Sequence, residues 1–102
     1  MDLKPGSRWR SAVCDTEVVV VRSRAVPVTF RIGGTEALPA DAGRPAGAKP
    51  DAALAGGTAL GKRYADEMSG LEVLCTKAGT GTITVDGRRA TVMTPRQLPA
   101  SD

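Results

Sequence analysis

Histidine is absent from this chain of 102 residues. Its absence removes the Ser-His and Cys-His nucleophile pairs, the imidazole general base and every His-containing zinc site. Aromatic residues are nearly as scarce: Trp9, Phe30 and Tyr64 are the whole set, 3% of the chain, so the core has to be aliphatic. No apolar run approaches the ~18 residues a membrane span needs, the longest candidate being Val18 to Val21. The opening Met1-Asp2-Leu3-Lys4-Pro5-Gly6 lacks the apolar stretch after a basic start that marks a secretory signal. The expected location is therefore cytoplasmic, with no membrane partner. Cysteine occurs twice, at Cys14 and Cys75. In that compartment both are expected as reduced thiols, buried or metal-bound, rather than as a permanent disulfide.

What is present fits one domain over residues 1–102, large enough to bury roughly 60–70% of its unfolded surface. The hydrophobic share, 41%, is near the globular norm. Fourteen Lys and Arg against eleven Asp and Glu give a net charge of +3 and a pI near 9.2. Nucleic-acid binders concentrate such charge on one face and add stacking aromatics, whereas here the arginines are scattered from Arg8 to Arg96. The composition does not favour nucleic acid, and a weak nucleic-acid-binding β barrel stands third among the functional readings.

Two β-patterned blocks flank a stretch of different texture. Ser11 to Arg22 is rich in β-branched residues and ends in Val18-Val19-Val20-Val21, a run that suits a strand covered on both faces. Val26, Val28, Phe30 and Ile32 then alternate with Pro27, Thr29 and Arg31, which predicts a half-buried strand ended by Gly33-Gly34. Pro27 cannot donate to a ladder, so this strand starts there or runs along an edge. Residues 38–57 hold Pro39, Pro45 and Pro50 among many alanines without a sustained period. The stretch exceeds the about 12–15 residues usual for a loop and reads as a flexible loop or arm. The second block reads as a meander: Leu71 to Lys77, a Gly79-Thr80-Gly81 turn, Thr82 to Val85, an Asp86-Gly87 turn and Ala90 to Met93. Residues 95–102 are expected to fray. The expected fold is all-β, with about five short strands in two hairpin-like blocks forming a small sheet, sandwich or partly open barrel.

Chemistry concentrates at Cys14-Asp15-Thr16-Glu17, which precedes the valine-rich strand and is followed, one strand later, by Gly33-Gly34. This layout resembles desulforedoxin- and rubredoxin-like iron domains, in which a Cys-x-x-Cys turn opens a short hairpin and an adjacent Cys-Cys pair completes a tetrahedral sulfur site. On that resemblance Cys14 falls on the first ligand position, Glu17 on the second, and Gly33 and Gly34 on the last two, so three of the four thiolates are missing. The resemblance spans Cys14 to Gly34; it implies a small-hairpin ancestry and does not carry the iron site across. If the second block packs beside the first, Cys75 meets Cys14 with Glu17 or Asp15 nearby, a set of two thiolates and a carboxylate that zinc accepts. The same cysteines, flanked by valine and leucine, also read as small buried hydrophobes, or one of them as a reactive thiol. The cofactor expectation is either none or a zinc or iron ion at Cys14, Cys75, Glu17 and Asp15.

Arg8-Trp9-Arg10 places an indole between two guanidinium groups. Trp and Arg are common interface anchors, and in so aromatic-poor a chain the indole equally serves as a core plug. The carboxylates Asp15, Glu17, Asp66, Glu67 and Glu72 fall on turns and strand faces, where solvated charges are the rule, and no catalytic residue is assigned. Short strands with unpaired edges often finish their core against another chain. The leading expectation is a noncatalytic accessory or protein-interaction subunit, bound to a protein partner or to a second copy, with Arg8, Trp9 and Arg10 in contact. The alternative is a small metal-binding or redox protein using Cys14 and Cys75.

Overall fold

The computed structural model describes residues 3–24, 27–43 and 49–93. In it the β-patterned segments become ten short strands: β1 (Arg8–Arg10), β2 (Glu17–Arg22), β3 (Phe30–Ile32), β4 (Thr35–Glu36), β5 (Leu38–Pro39), β6 (Arg63–Asp66), β7 (Leu71–Lys77), β8 (Ile83–Val85), β9 (Arg88–Arg89) and β10 (Thr91–Met93). They form a six-stranded sheet of order β10-β6-β7-β2-β1-β5 and a four-stranded sheet of order β4-β3-β8-β9, neither closed into a barrel. All pairings are antiparallel. Ala52–Leu54 is a 3-10 turn, and among the described residues no helix is long and apolar enough to cross a membrane.

Turn chemistry sets the small sheet. Gly33 and Gly34 (φ 70° and 90°) join β3 to β4, and Asp86 and Gly87 (φ 50° and 81°) join β8 to β9. Positive φ at both central residues is the turn geometry whose twist matches that of the flanking strands. Asp86 accepts this backbone because it is locked in place: its carboxylate takes the Thr29 N–H at 2.7 Å and its own N–H donates to the Thr29 carbonyl at 2.9 Å.

Each sheet turns one face inward. Phe30, Ile32, Ile83 and Val85 of the small sheet and Val18, Val20, Tyr64, Leu71 and Val73 of the large one belong to a single buried cluster, with Phe30 and Ile32 wholly removed from solvent. The four valines of β2 alternate as strand geometry requires, Val18 and Val20 buried inward and Val21 exposed. Their run is thus covered on one face, not both.

Two corners join the layers. Ala37 donates its N–H to the Phe30 carbonyl, ending the β3–β4 pairing, and the next residue, Leu38, pairs with Arg10 in the large sheet. Likewise the Ala90 N–H donates to the Ile83 carbonyl, and Thr91 then pairs with Ala65. Both corners carry the smallest side chain that still packs on the core. This is why the meander expected for the second block is not formed: β7 and β8 lie in different sheets, and the alternating segment ending at Met93 is split at Ala90. Gly79-Thr80-Gly81 is accordingly a passage between sheets, with Gly79 bridged to Thr58. β3 starts at Phe30, after Pro27, and is an interior strand between β4 and β8.

Much of the 38–57 stretch is tied down. Leu38–Pro39 pairs with β1, the Asp51 N–H donates to the Gly33 carbonyl at 2.9 Å, and the Leu54 carbonyl accepts from Thr82 at 2.7 Å. Gly56 donates to Thr82 Oγ1 at 2.8 Å. Residues 44–48 of that stretch, and the 95–102 tail, lie outside the described residues.

An ion pair with a buried carboxylate and a partly exposed guanidinium also crosses between the sheets. Asp66 of β6 receives two parallel bonds from Arg88 of β9, Nε to Oδ1 at 3.1 Å and Nη2 to Oδ2 at 2.8 Å, and a third from the Ser69 N–H at 3.1 Å. The Arg88 guanidinium, followed by the Ser69 donors, outweighs burial and holds the Asp66 carboxyl down at about 2. A carboxylate depressed below its ordinary value stabilises the fold above that value and loses the contribution as pH falls through the depressed one. With the Arg88 side chain partly exposed, the contribution is roughly 1–2 kcal/mol. Acid titration of stability should show a loss of this size between about pH 4 and pH 2. In Asp66→Asn that step should vanish while stability at neutral pH falls; urea melts at successive pH values measure both.

Candidate functional site

The Cys14 turn is built from its flanks inward. Ser11 and Thr16 close the β1–β2 connection through an N–H to carbonyl bond of 2.9 Å. The Ser11 hydroxyl accepts the N–H groups of Val13 at 3.0 Å and Cys14 at 3.1 Å, the local turn that a serine side chain can template. Cys14 is thereby turned inward and is 9% exposed. Its thiol donates to Thr16 Oγ1 at 3.2 Å and accepts the Gly81 N–H at 3.3 Å.

Two glycines allow this approach. A Cβ on Gly79 would lie 2.5 Å from the Thr16 nitrogen, and one on Gly81 would lie 2.9 Å from the Gly33 nitrogen and 3.1 Å from Cys14 Sγ. Gly79 and Gly81 are therefore bare because the backbone of one segment rests on the Cys14 turn, not because a hairpin needs them.

The two thiols are driven in opposite directions. Burial pushes Cys14 up, but the Ser11 and Thr16 hydroxyls and the Thr16 and Gly81 N–H groups together outweigh it and leave the thiol below its ordinary value. Burial pushes Cys75 up, the Lys77 backbone bond offsets part of this, and the Cys14 charge raises it further. Cys75 sits on β7 opposite Val18, its thiol donating to the Lys77 carbonyl at 3.2 Å. Both cysteines are free and buried.

The carboxylates proposed as ligands are placed differently. Glu17 reaches Lys77 Nζ at 3.9 Å, and Asp15 is exposed. Among the described residues, no group of three or more His, Cys, Asp or Glu is gathered that could hold a metal ion. Gly33 lies beside Val13 and Gly81, while Gly34 lies beside Asp51 and Leu54.

Within Arg8-Trp9-Arg10 the strand alternation separates the three. Trp9 belongs to the buried core and donates its indole N–H to Ser7 Oγ at 3.0 Å. Arg8 is exposed, and Arg10 donates to the Ala42 carbonyl at 3.3 Å.

A surface that sequence reasoning passed over is the β10 edge. Among the described residues four strands end the two sheets: β5, β4, β9 and β10. β5 is two residues long and carries Pro39, β4 is Thr35–Glu36, and β9 is Arg88–Arg89. Shortness, proline and charge are the usual means of blunting an edge. β10 has neither proline nor charge, all three of its residues are exposed, and Val92 and Met93 are 45% and 42% exposed. Its pairing with Ala65, Tyr64 and Arg63 sends Thr91 and Met93 to the outer face of the sheet and Val92 to the other. A recess of about 340 Å³ adjoins it on each face, one including Arg22, Arg24, Thr91 and Met93, the other Gly57, Thr58, Tyr64 and Val92. The available signal was an alternating apolar segment at the end of the last block, legible as a strand but not as an edge.

Compared with known proteins, the chain matches no family model, and no curated protein or solved structure matches it.

Two outcomes follow from the thiol environment. Thiolate absorbance against pH should show one group ionising below and one above the ordinary cysteine value; Cys14→Ser should delete the lower step and Cys75→Ser the upper. Gly79→Ala should destabilise the fold by about 1–3 kcal/mol, the usual cost of overpacking, measured by urea denaturation.

Proposed function

We propose that the chain is a noncatalytic interaction module of the cytoplasm that receives an extended segment of a partner protein along β10. The observation that carries this reading is the contrast among sheet edges: among the described residues β10 alone combines three exposed residues, two of them apolar, with no proline or charge. An added strand draws affinity from main-chain hydrogen bonds and specificity from pockets that take alternate side chains. β10 supplies a free main-chain edge, and its own side chains border a recess on each face, Thr91 and Met93 on one and Val92 on the other. The reading also fits a chain without histidine, whose two thiols are both hydrogen-bonded and buried.

The test is amide hydrogen exchange of the full chain with and without a short uncharged peptide of alternating threonine and valine. Exchange at Thr91, Val92 and Met93 should slow when the peptide is present. Val92→Lys combined with Met93→Lys should remove that protection without lowering the melting temperature. Unchanged exchange at β10, or protection confined to β4, β5 or β9, would overturn the reading. Concentration-dependent protection without peptide would overturn it in favour of pairing between copies.

A further inference from the structure

From the charges gathered on the outer face of the six-stranded sheet we infer a docking surface for an acidic amphipathic helix of a partner protein. This goes beyond strand addition and stands whether or not β10 receives a strand. The arginines are scattered along the sequence, but the strand register collects them. One cross-strand row runs Arg8, Val19, Leu74 and Arg63, from β1 through β2 and β7 to β6. On one side of it Arg10, Glu17 and Lys77 align across β1, β2 and β7. On the other, Arg22, Glu72 and Ala65 align across β2, β7 and β6. The core residues Trp9, Val18, Val73 and Tyr64 alternate with these and point the opposite way.

Five cations therefore stand in these rows against two carboxylates, an excess equal to the net charge of the whole chain, +3. Glu17 is taken by Lys77 at 3.9 Å and Glu72 by Arg63 at 3.4 Å. Arg8, Arg10 and Arg22 make no ion pair among the described residues. Arg10 donates to the Ala42 carbonyl, a neutral group, and its Nε has no partner. Arg24 and Glu67 border the face beside the β6–β7 turn and carry opposite charges, and Asp15 and Asp41 lie in connections outside the strands. Between the arginines lie Val19 and Leu74, both half-buried, with Val21 37% exposed next to Arg22. An apolar centre among arginines is the composition of a protein contact. A segment lying flat on a sheet face gains no main-chain bonds from it, unlike one at an edge, so its backbone must satisfy itself as a helix does. Apolar side chains of that helix cover Val19 and Leu74 while flanking carboxylates reach Arg8 and Arg22. The phosphates of a nucleic acid would match the arginines, but they leave the apolar centre unused and find no exposed ring for stacking, since Trp9, Phe30 and Tyr64 are all buried.

Fluorescence anisotropy of the full chain with a labelled synthetic helical peptide, a leucine stripe flanked by glutamates, tests the assignment beside the same peptide carrying glutamine for glutamate. The glutamate peptide should bind about tenfold more tightly at low salt, a margin that added salt erodes. Arg8→Gln with Arg22→Gln should abolish the margin. Arg31→Gln with Lys49→Gln, an equal loss of charge at exposed positions off this face, should preserve it. Arg22→Gln alone, at the end of β2, should reduce the margin and provides the reading if the double variant melts early. Leu74→Gln should weaken the binding of both peptides. Equal binding of the two peptides by the unaltered protein would overturn the acidic partner. Equal loss of the margin in the two double variants would reduce the surface to general attraction by a basic protein and overturn it. Displacement of the glutamate peptide by double-stranded DNA at equal concentration would overturn the choice of a protein partner.

Discussion

Phe30, Ile32, Ile83 and Val85 press against Val18, Val20 and Val73, and every other feature of the molecule is arranged around keeping those two inner faces together. Burial of a fully enclosed aliphatic or aromatic side chain contributes about 1.5–3 kcal/mol, but strands of two to seven residues cannot hold such faces in register alone. The chain solves this by passing from one sheet to the other without a loop, at Ala37 and at Ala90. The Asp66–Arg88 pair fixes the two sheets where the second of these corners is made.

The same sheet-to-sheet passages set the edges and the inner turns of the molecule. Since the chain leaves the small sheet at Ala90, its next residues end as an edge strand of the large sheet, and β10 exists only because β9 stops after two residues. The Gly79-to-Gly81 passage brings backbone against the Cys14 turn and supplies an N–H to its sulfur. That environment holds the Cys14 thiol below its ordinary pKa, and the same enclosure buries it. Cys14 is enclosed by the packing of its turn, whereas Val92 and Met93 lie exposed on a sheet edge.

Local patterns carried a good part of the fold. Asp86-Gly87 between alternating residues specified the β8–β9 hairpin, and Leu71 to Lys77 was legible as a strand to the residue. Gly33-Gly34 was legible as a stop, although it proved to be a two-residue hairpin turn. The Gly79 segment misled because glycine serves two physical ends, a permissive φ and a missing Cβ, and sequence alone does not say which is in use. Residues 38–57 looked unstructured for want of apolar periodicity, yet the described parts are held by backbone bonds to Gly33 and Thr82, which leave no trace in side-chain pattern.

Composition and alternation determined by themselves that the protein is all-β and that its core is mainly aliphatic, although the three aromatics Trp9, Phe30 and Tyr64 all proved to lie in it. These depend on side-chain identity and on the period of two, both written in the chain. Tertiary structure alone decided that Trp9 lies inside between Arg8 and Arg10, that Glu17 turns to Lys77 and away from Cys14's enclosure, and that Val92 and Met93 sit on an open edge. Those outcomes depend on which strand ends beside which, and that is set by corners and crossings between residues distant in sequence, where local propensity has no say.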